Sequence, residues 1–190
     1  MPLNEQLVEE YKRFHSENEN HYWGDMLRHN SRQIEKLIKE TESKTLLDYG
    51  CGKGLQYFVD NEHKNWGVMP TLYDPGIEKF STLPDNLFDG VISTDVMEHI
   101  PECDIQETLG WIFKRARLFV FLAISTRPAV TILPNGENAH CTVQPIEWWH
   151  EQIMNANTDN IYAHLKTYGN SNGYRMYNLP RKIFIERLTI

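Results

Sequence analysis

The sequence has 190 residues, with 19 lysines and arginines against 26 aspartates and glutamates, so its formal net charge at pH 7 is −7. A chain of this length buries roughly 70% of the surface that it exposes when unfolded, so we expect one domain, residues 1–190, that needs no metal or disulfide to fold. The acidic balance disfavours nucleic acid and anionic membranes as partners, because both attract basic surfaces.

The three cysteines, Cys51, Cys103 and Cys141, are odd in number and lack C-x-x-C spacing, which favours neither a disulfide framework nor a zinc site. The N-terminus lacks the basic and apolar regions of a signal peptide, and the longest apolar run, 118–124, is too short to cross a bilayer. We therefore expect a cytoplasmic protein that does not enter the membrane.

Residues 5–40, within the N-terminal segment 1–44, carry apolar side chains at helical spacing, with a break at residues 18–24. This pattern predicts two amphipathic helices. Tyr22, Trp23 and Gly24 lie in the break and have two interpretations. They form part of a lid over a ligand site, or they provide a hydrophobic cover for the sheet.

From residue 45 onward, short apolar runs alternate with helical patterns. The runs are apolar at successive positions, as expected for strands that are covered on both faces. They occupy residues 45–47, 67–73, 90–93 and 118–124, with helical patterns at 55–61 and 105–116. The alternation predicts an α/β fold over residues 45–190, with a parallel sheet and helices on both faces.

The C-terminal part of the chain predicts a change of strand direction. After a helical pattern at 146–156, the apolar segments 161–167 and 182–188 flank the turn-forming residues 169–173. We expect the two segments to pair as antiparallel strands at one edge of the sheet, so that the last strand is antiparallel.

A glycine turn follows the first predicted strand. Gly50, Gly52 and Gly54 have the spacing G-x-G-x-G, which differs from both the dinucleotide fingerprint and the P-loop. Asp74 stands twenty residues after Gly54, at the end of the next strand, where a carboxylate can accept hydrogen bonds from a ribose diol. Asp48, under the turn, suits a cationic ligand better than a pyrophosphate. The motif predicts a nucleoside ligand with little or no phosphate.

This pattern resembles motifs I and II of the class I S-adenosylmethionine-dependent methyltransferases, and residues 83–101 resemble their fourth-strand segment. The resemblance implies a Rossmann-like sheet and S-adenosylmethionine as the cofactor. The cofactor-binding residues that it implies are Asp48, Gly50, Gly52, Gly54, Asp74, Pro75 and Thr94.

One stretch departs from the family pattern. Only thirteen residues lie between Asp74 and Phe88, where the family has a helix, a third strand and an acidic residue that binds the adenine amine. We therefore expect the third strand to be missing or vestigial, and the adenine-binding residues stay unassigned.

Four polar residues follow the fourth and fifth strands of the family pattern. Asp95, Glu98 and His99 have the spacing i, i+3 and i+4, which places them on one face of a helix that begins near Asp95. His140 lies in a later loop at the same carboxyl edge of the sheet. Methyl transfer needs a nucleophile held close to the donor and, for a hydroxyl, removal of its proton. We predict these four residues to be catalytic.

The four residues also have a metal-binding interpretation, with Mg²⁺ or Mn²⁺ held by Asp95, Glu98, His99 and His140. The pattern D-x-x-E-H with a later histidine is similar to E-x-x-E-H plus histidine in magnesium-dependent small-RNA 3′-end 2′-O-methyltransferases, and in part to ubiquinone-type O-methyltransferases. E-H pairs also occur in class I methyltransferases that use no metal. Catalysis or orientation without a metal, and a structural role, therefore stay open.

Adjacent tryptophans at Trp148 and Trp149 have two interpretations as well: a stacking platform for substrate, or one ring in the core and one at its rim. Taken together, the sequence predicts an S-adenosylmethionine-dependent methyltransferase that acts on an oxygen of a small polar metabolite or sugar. Two alternatives are metal-assisted 2′-O-methylation of an RNA 3′ end and a non-catalytic binding subunit with the methyltransferase fold. The sequence makes no prediction of the oligomeric state.

Overall fold

The computed structural model describes residues 5–18, 25–169, 175–179 and 185–187, with side chains for 5–18 and 26–169. The helices in these ranges are α1 (Glu5–Glu17), α2 (Ser31–Thr41), α3 (Leu55–Phe58), α4 (Glu62–Trp66), α5 (Glu102–Arg115) and α6 (Ile146–Ala156). Short 3₁₀ turns cover Asp25–Asn30, Glu78–Phe80 and Met97–His99. The strands are β1 (Leu46–Tyr49), β2 (Thr71–Tyr73), β3 (Phe88–Thr94), β4 (Ala116–Ser125), β5 (Tyr162–Tyr168), β6 (Arg175–Leu179) and β7 (Ile185–Arg187).

The strands form one sheet in the order β2-β1-β3-β4-β5-β6-β7, and the first five in this order run parallel. Leu47 of β1 pairs with Thr71 on one side and with Val91 on the other, so β1 is an inner strand. The predicted α/β, Rossmann-like sheet flanked by helices is confirmed. In such sheets, ligands bind outside the carboxyl ends of the strands.

The third strand of the family pattern is missing, as predicted. Residues 74–87, all of them described, contain only the 3₁₀ turn Glu78–Phe80 between β2 and β3. The backbone N–H of Asp74 donates to the carbonyl oxygen of Phe80 at 3.0 Å, which closes this connection into a tight loop. As a consequence, β2 is an edge strand of the sheet.

The partner of β5 differs from the predicted one. Arg175–Leu179 pairs with β5 in antiparallel register, and Ile185–Arg187 pairs with β6. The predicted direct pairing of β5 with residues 182–188 is therefore wrong. A short connection favours pairing with the next segment along the chain, and β6 comes before β7.

The core has one layer on each face of the sheet, and β4 contributes to both. Val120 and Leu122 face the cluster formed with α5 and α6, whereas Phe119 and Phe121 face the cluster formed with α2 and α4. This alternation follows from the pleat, which points successive side chains to opposite faces. In α2, Ile34, Leu37 and Ile38 form the apolar stripe that packs on the sheet.

A third, smaller cluster lies above the carboxyl edge of the sheet. Phe14 of α1 packs with Leu133 and Ala139, which belong to the long loop between β4 and α6. Leu7 and Tyr11 of α1 flank this cluster. The N-terminal helix therefore covers the edge where a ligand would bind, while Tyr22–Gly24, predicted as a lid or cover, lie outside the described residues.

The two adjacent tryptophans follow the core-and-rim interpretation. Trp149, on the core face of α6, is completely buried, whereas Trp148 is only partly buried. The two rings are perpendicular, at a centroid distance of 4.9 Å. Neither ring lines the cavity at the carboxyl edge of the sheet. These positions do not support the alternative interpretation as a substrate platform.

The helices of the described ranges are short. The longest, α5, has 14 residues, and none of them is long and apolar enough to cross a membrane.

Candidate active site

A cavity of about 690 Å³ lies at the carboxyl edge of the sheet. This volume is within the usual range for sites that bind small molecules. Its wall includes parts of α1, the glycine turn, the turn after β2 and the segments that follow β3 and β4. Eight of the predicted cofactor or catalytic residues line it: Gly50, Gly52, Asp74, Pro75, Thr94, Asp95, His99 and His140.

The glycine turn opens into this cavity at Gly52. Gly50, Gly52 and Gly54 all have positive φ angles, which non-glycine residues rarely adopt. A Cβ atom on Gly50 would lie 2.3 Å from Val96 Cγ2, so the turn packs tightly against the segment after β3. A Cβ atom on Gly52 would meet nothing within 4 Å. The free space at Gly52 is therefore available to a ligand.

Asp74 connects the turn after β2 with the glycine turn. Its Oδ2 accepts a hydrogen bond from the backbone N–H of Gly52, and its Oδ1 accepts one from Gly76, both at 2.8 Å. Burial raises the pKa of Asp74, while these two hydrogen bonds act in the opposite direction. A carboxylate has about four acceptor positions, so Asp74 retains capacity for a ribose diol.

Asp48 and Gly54 lie outside the cavity wall. Asp48 is buried beneath the glycine turn, where its Oδ2 accepts a hydrogen bond from the Tyr57 hydroxyl at 2.7 Å. Burial raises the pKa of Asp48 to about 7. A Cβ atom on Gly54 would lie 3.1 Å from Leu72 Cδ1, so this glycine permits close packing of the turn on β2. Both residues therefore support the glycine turn on the side away from the cavity.

The helix predicted to begin near Asp95 is not present. Asp95 has φ +62°, a left-handed conformation, and the chain then forms only the 3₁₀ turn Met97–His99. Because Pro101 disfavours helical geometry in the residue before it, Ile100 is extended and α5 starts afterwards, at Glu102. The left-handed conformation of Asp95 is strained for a non-glycine residue, and such strain is often found at functional sites.

As a result, Glu98 does not line the cavity with His99, although its carboxyl group lies close to that of Asp95. Its side chain is completely buried and lies outside the cavity wall. Glu98 Oε1 accepts a hydrogen bond from the backbone N–H of Ser125 at 2.5 Å, and its carbonyl oxygen accepts one from Thr142 at 3.0 Å. Burial, together with the nearby Asp95 carboxylate, raises the pKa of Glu98 well above its usual value. Glu98 thus joins the end of β4 to the loop that carries His140.

His99 presents one unprotonated nitrogen. Its Nδ1 lies 2.9 Å from the carbonyl oxygen of Ala139 and 2.7 Å from the Tyr11 hydroxyl. Because a carbonyl oxygen can only accept, we assign a proton to Nδ1, which leaves the lone pair on Nε2. Burial lowers the pKa of His99 to about 4, so the ring is neutral at pH 7.

His140 is held in the same way. Its Nδ1 lies 2.6 Å from the carbonyl oxygen of Arg127, and its ring stands perpendicular to that of His99 at a centroid distance of 4.7 Å. Asp95, His99 and His140 each offer one ligand atom, and these atoms lie within 4.8 Å of one another. Such a group can accept a proton from a hydroxyl or hold a divalent cation. The fourth residue of the predicted metal set, Glu98, is not part of this group.

Sequence reasoning missed Tyr11. In the sequence, Leu7, Tyr11 and Phe14 form a regular helical stripe, and this pattern indicates core packing alone. In the structure, the Tyr11 hydroxyl contacts both His99 and Ala139. The only signal in the sequence was the hydroxyl group of Tyr11 among side chains that are otherwise apolar.

The fold and the cavity define the class. A parallel α/β sheet whose glycine turn and strand-end carboxylate share one cavity is typical of Rossmann-like proteins that bind a nucleoside cofactor. A family model described as a methyltransferase domain matches residues 22–169. The chain therefore belongs to this family, within the class I S-adenosylmethionine-dependent methyltransferases. No curated protein matches the sequence. The family implies S-adenosylmethionine as the methyl donor.

Proposed function

We propose that this protein transfers a methyl group from S-adenosylmethionine to an oxygen atom of a small polar metabolite or sugar. One observation carries the proposal. A single cavity contains both the glycine turn with Asp74 and the group formed by Asp95, His99 and His140. Donor and acceptor can therefore meet in one cavity, which is the main requirement for a displacement reaction.

The donor half of the cavity fits a nucleoside sulfonium. Gly52 leaves open space where the ligand can approach the backbone, and Asp74 can accept hydrogen bonds from a ribose diol. We assign Gly50, Pro75 and Thr94, which line the same cavity, to cofactor contact. When bound, the cofactor supplies an electrophilic methyl group on a positively charged sulfur.

The acceptor half favours an oxygen nucleophile. A hydroxyl must lose its proton as it attacks, and His99 offers an unprotonated Nε2 across the neutral pH range because burial lowers its pKa to about 4. Asp95 and His140 lie beside it and can orient the hydroxyl or share the proton. The residues that we assign to catalysis are therefore Asp95, His99 and His140, with Glu98 in a supporting position.

The proposal is tested with S-adenosylmethionine that carries a trideuterated methyl group, incubated with pools of hydroxylated metabolites and sugars. We expect mass spectrometry to detect a small molecule that gains one labelled methyl group. The combined variant His99→Gln and His140→Gln should give no labelled product, yet bind S-adenosylhomocysteine as the wild type does. If the wild type binds the cofactor but yields no labelled product from any pool, the result would instead support a non-catalytic binding subunit.

A second candidate is metal-assisted methylation of an RNA 3′ end. The proximity of Asp95, His99 and His140 favours it, and the net charge of −7 and the position of Glu98 oppose it. Calorimetric titration with Mg²⁺ or Mn²⁺ separates the two candidates when wild type is compared with Asp95→Asn. Saturable binding lost in the variant, together with a salt-sensitive gel shift of short RNA, would favour the RNA substrate.

A further inference from the structure

The N-terminal helix contacts both halves of the cavity. At its end, Lys53 of the glycine turn donates a hydrogen bond to the carbonyl oxygen of Asn18 at 2.5 Å. In its middle, Tyr11 lies against the turn after β2, because a Cβ atom on Gly76 would come within 3.3 Å of Tyr11 Cβ. The same Tyr11 side chain reaches His99 on the acceptor side. Helix α1 therefore covers the cavity and also places a side chain against His99.

The Tyr11 hydroxyl occupies a fixed place between two other polar groups. It lies 2.7 Å from His99 Nδ1 and donates to the carbonyl oxygen of Ala139 at 2.9 Å. Since its one proton is directed at Ala139, its oxygen faces Nδ1 as an acceptor. The Tyr11 ring also packs edge-on against the imidazole, at a centroid distance of 5.6 Å and an interplanar angle of 86°.

We propose that Tyr11 is a positioning residue for His99. The hydrogen bonds form a chain in which His99 Nδ1–H donates to Tyr11 and the Tyr11 hydroxyl donates to Ala139. The chain keeps the His99 proton on Nδ1 and fixes the ring so that Nε2 is presented to the acceptor. The catalytic part of this inference rests on the proposed function, whereas the hydrogen-bond chain does not.

The chain is tested by NMR of ¹⁵N-histidine-labelled protein, with the His99 signals assigned from a His99→Gln sample. In wild type, we expect His99 Nδ1 to be protonated and its N–H proton to resonate downfield. Tyr11→Phe should move that proton upfield by about 1 ppm or more, because Nδ1–H loses one of its two acceptors. The control is Tyr162→Phe, which removes the same hydroxyl from a tyrosine that packs in the core cluster of α2 and α4 and does not line the cavity.

Either of two results would overturn the proposal: an unprotonated His99 Nδ1 in wild type, or an unchanged N–H resonance in Tyr11→Phe. If Tyr11→Phe fails to fold, 3-fluorotyrosine at position 11 replaces it, because the fluorine makes the phenol oxygen a weaker acceptor without removing the hydroxyl. That substitution should also move the proton upfield, and an unchanged resonance there would equally overturn the chain.

The catalytic part is tested with the acceptor found in the labelling assay. Tyr11→Phe should lower the methyl-transfer rate by roughly 3- to 10-fold, while its affinity for S-adenosylhomocysteine stays within twofold of wild type. An unchanged rate would overturn the positioning role. If the wild type does not bind S-adenosylhomocysteine, the result would count against the proposed function instead. The two failures are therefore distinguishable.

Discussion

The backbone N–H of Gly52 donates a hydrogen bond of 2.8 Å to Asp74 Oδ2, which joins two motifs that stand 22 residues apart. The glycine turn and the carboxylate that is expected to bind ribose are thus one unit. Asp74→Asn replaces one accepting oxygen with an amide group that faces a backbone N–H. We expect the affinity for S-adenosylhomocysteine to fall by more than about tenfold, measured by calorimetry. Wild-type affinity in this variant would contradict the assignment of Asp74 to the cofactor site.

Gly52 and Gly67 provide a matched pair for testing the cofactor cavity. Both have positive φ angles, and a Cβ atom on either would meet nothing within 4 Å. Leucine at either position should therefore cost a similar free energy of unfolding, about 1–2 kcal/mol. Only Gly52→Leu places its side chain in the cavity, so it should abolish cofactor binding while Gly67→Leu binds normally. Equal affinities in the two variants would mean that the ligand does not occupy this space.

Asp48 makes the stability of the fold depend on pH. Burial raises its pKa to about 7, so the folded state keeps a proton that the unfolded state has lost. The contribution of this proton is complete below the unfolded pKa near 4 and is lost as the pH rises through about 7, with a slope of up to about 1.4 kcal/mol per pH unit. Asp48→Asn stays neutral and should gain stability relative to wild type between pH 4 and pH 8. The free energy of unfolding of both proteins is measured by urea denaturation across this range. A difference between them that does not change with pH would contradict the assignment.

Glu98 should behave as a structural acceptor. Glu98→Gln retains an oxygen for the Ser125 N–H, so we expect stability within about 1 kcal/mol of wild type and most of the methyl-transfer activity. Glu98→Ala leaves that buried N–H without a partner and should lower the free energy of unfolding by about 1–3 kcal/mol. Urea denaturation measures both effects. Complete loss of activity in folded Glu98→Gln would return Glu98 to the catalytic group.

The two tryptophans should differ sharply in their contribution to stability. Trp149 is completely buried between α6 and the sheet, so Trp149→Ala should cost about 3–5 kcal/mol. Trp148 is only partly buried, and its replacement by alanine should cost clearly less. Thermal unfolding of the two variants side by side gives the comparison. A larger loss for Trp148→Ala would be inconsistent with the packing described for α6.

Local sequence patterns were sufficient to predict the glycine turn. The glycine turn depends on backbone conformations that its own residues adopt, and Gly50, Gly52 and Gly54 all have the positive φ angles that favour glycine. The missing third strand followed from chain length, because residues 74–87 are too few to hold the family's elements. Contacts over long separations were less accessible, as the partner of β5 illustrates. The sequence predicted residues 182–188 as that partner, whereas Arg175–Leu179 pairs with β5 in the structure.

The sequence by itself determined the parallel part of the sheet, the glycine turn and the residue types available for chemistry, since each is encoded in a short segment. Only the tertiary structure decided which side chains meet. The left-handed Asp95 and the following Pro101 turn Glu98 into the core and leave His99 at the cavity. The contact between Tyr11 and His99 joins residues 88 positions apart. Such contacts depend on how α1 packs against the loop before α6, and no local pattern records that packing.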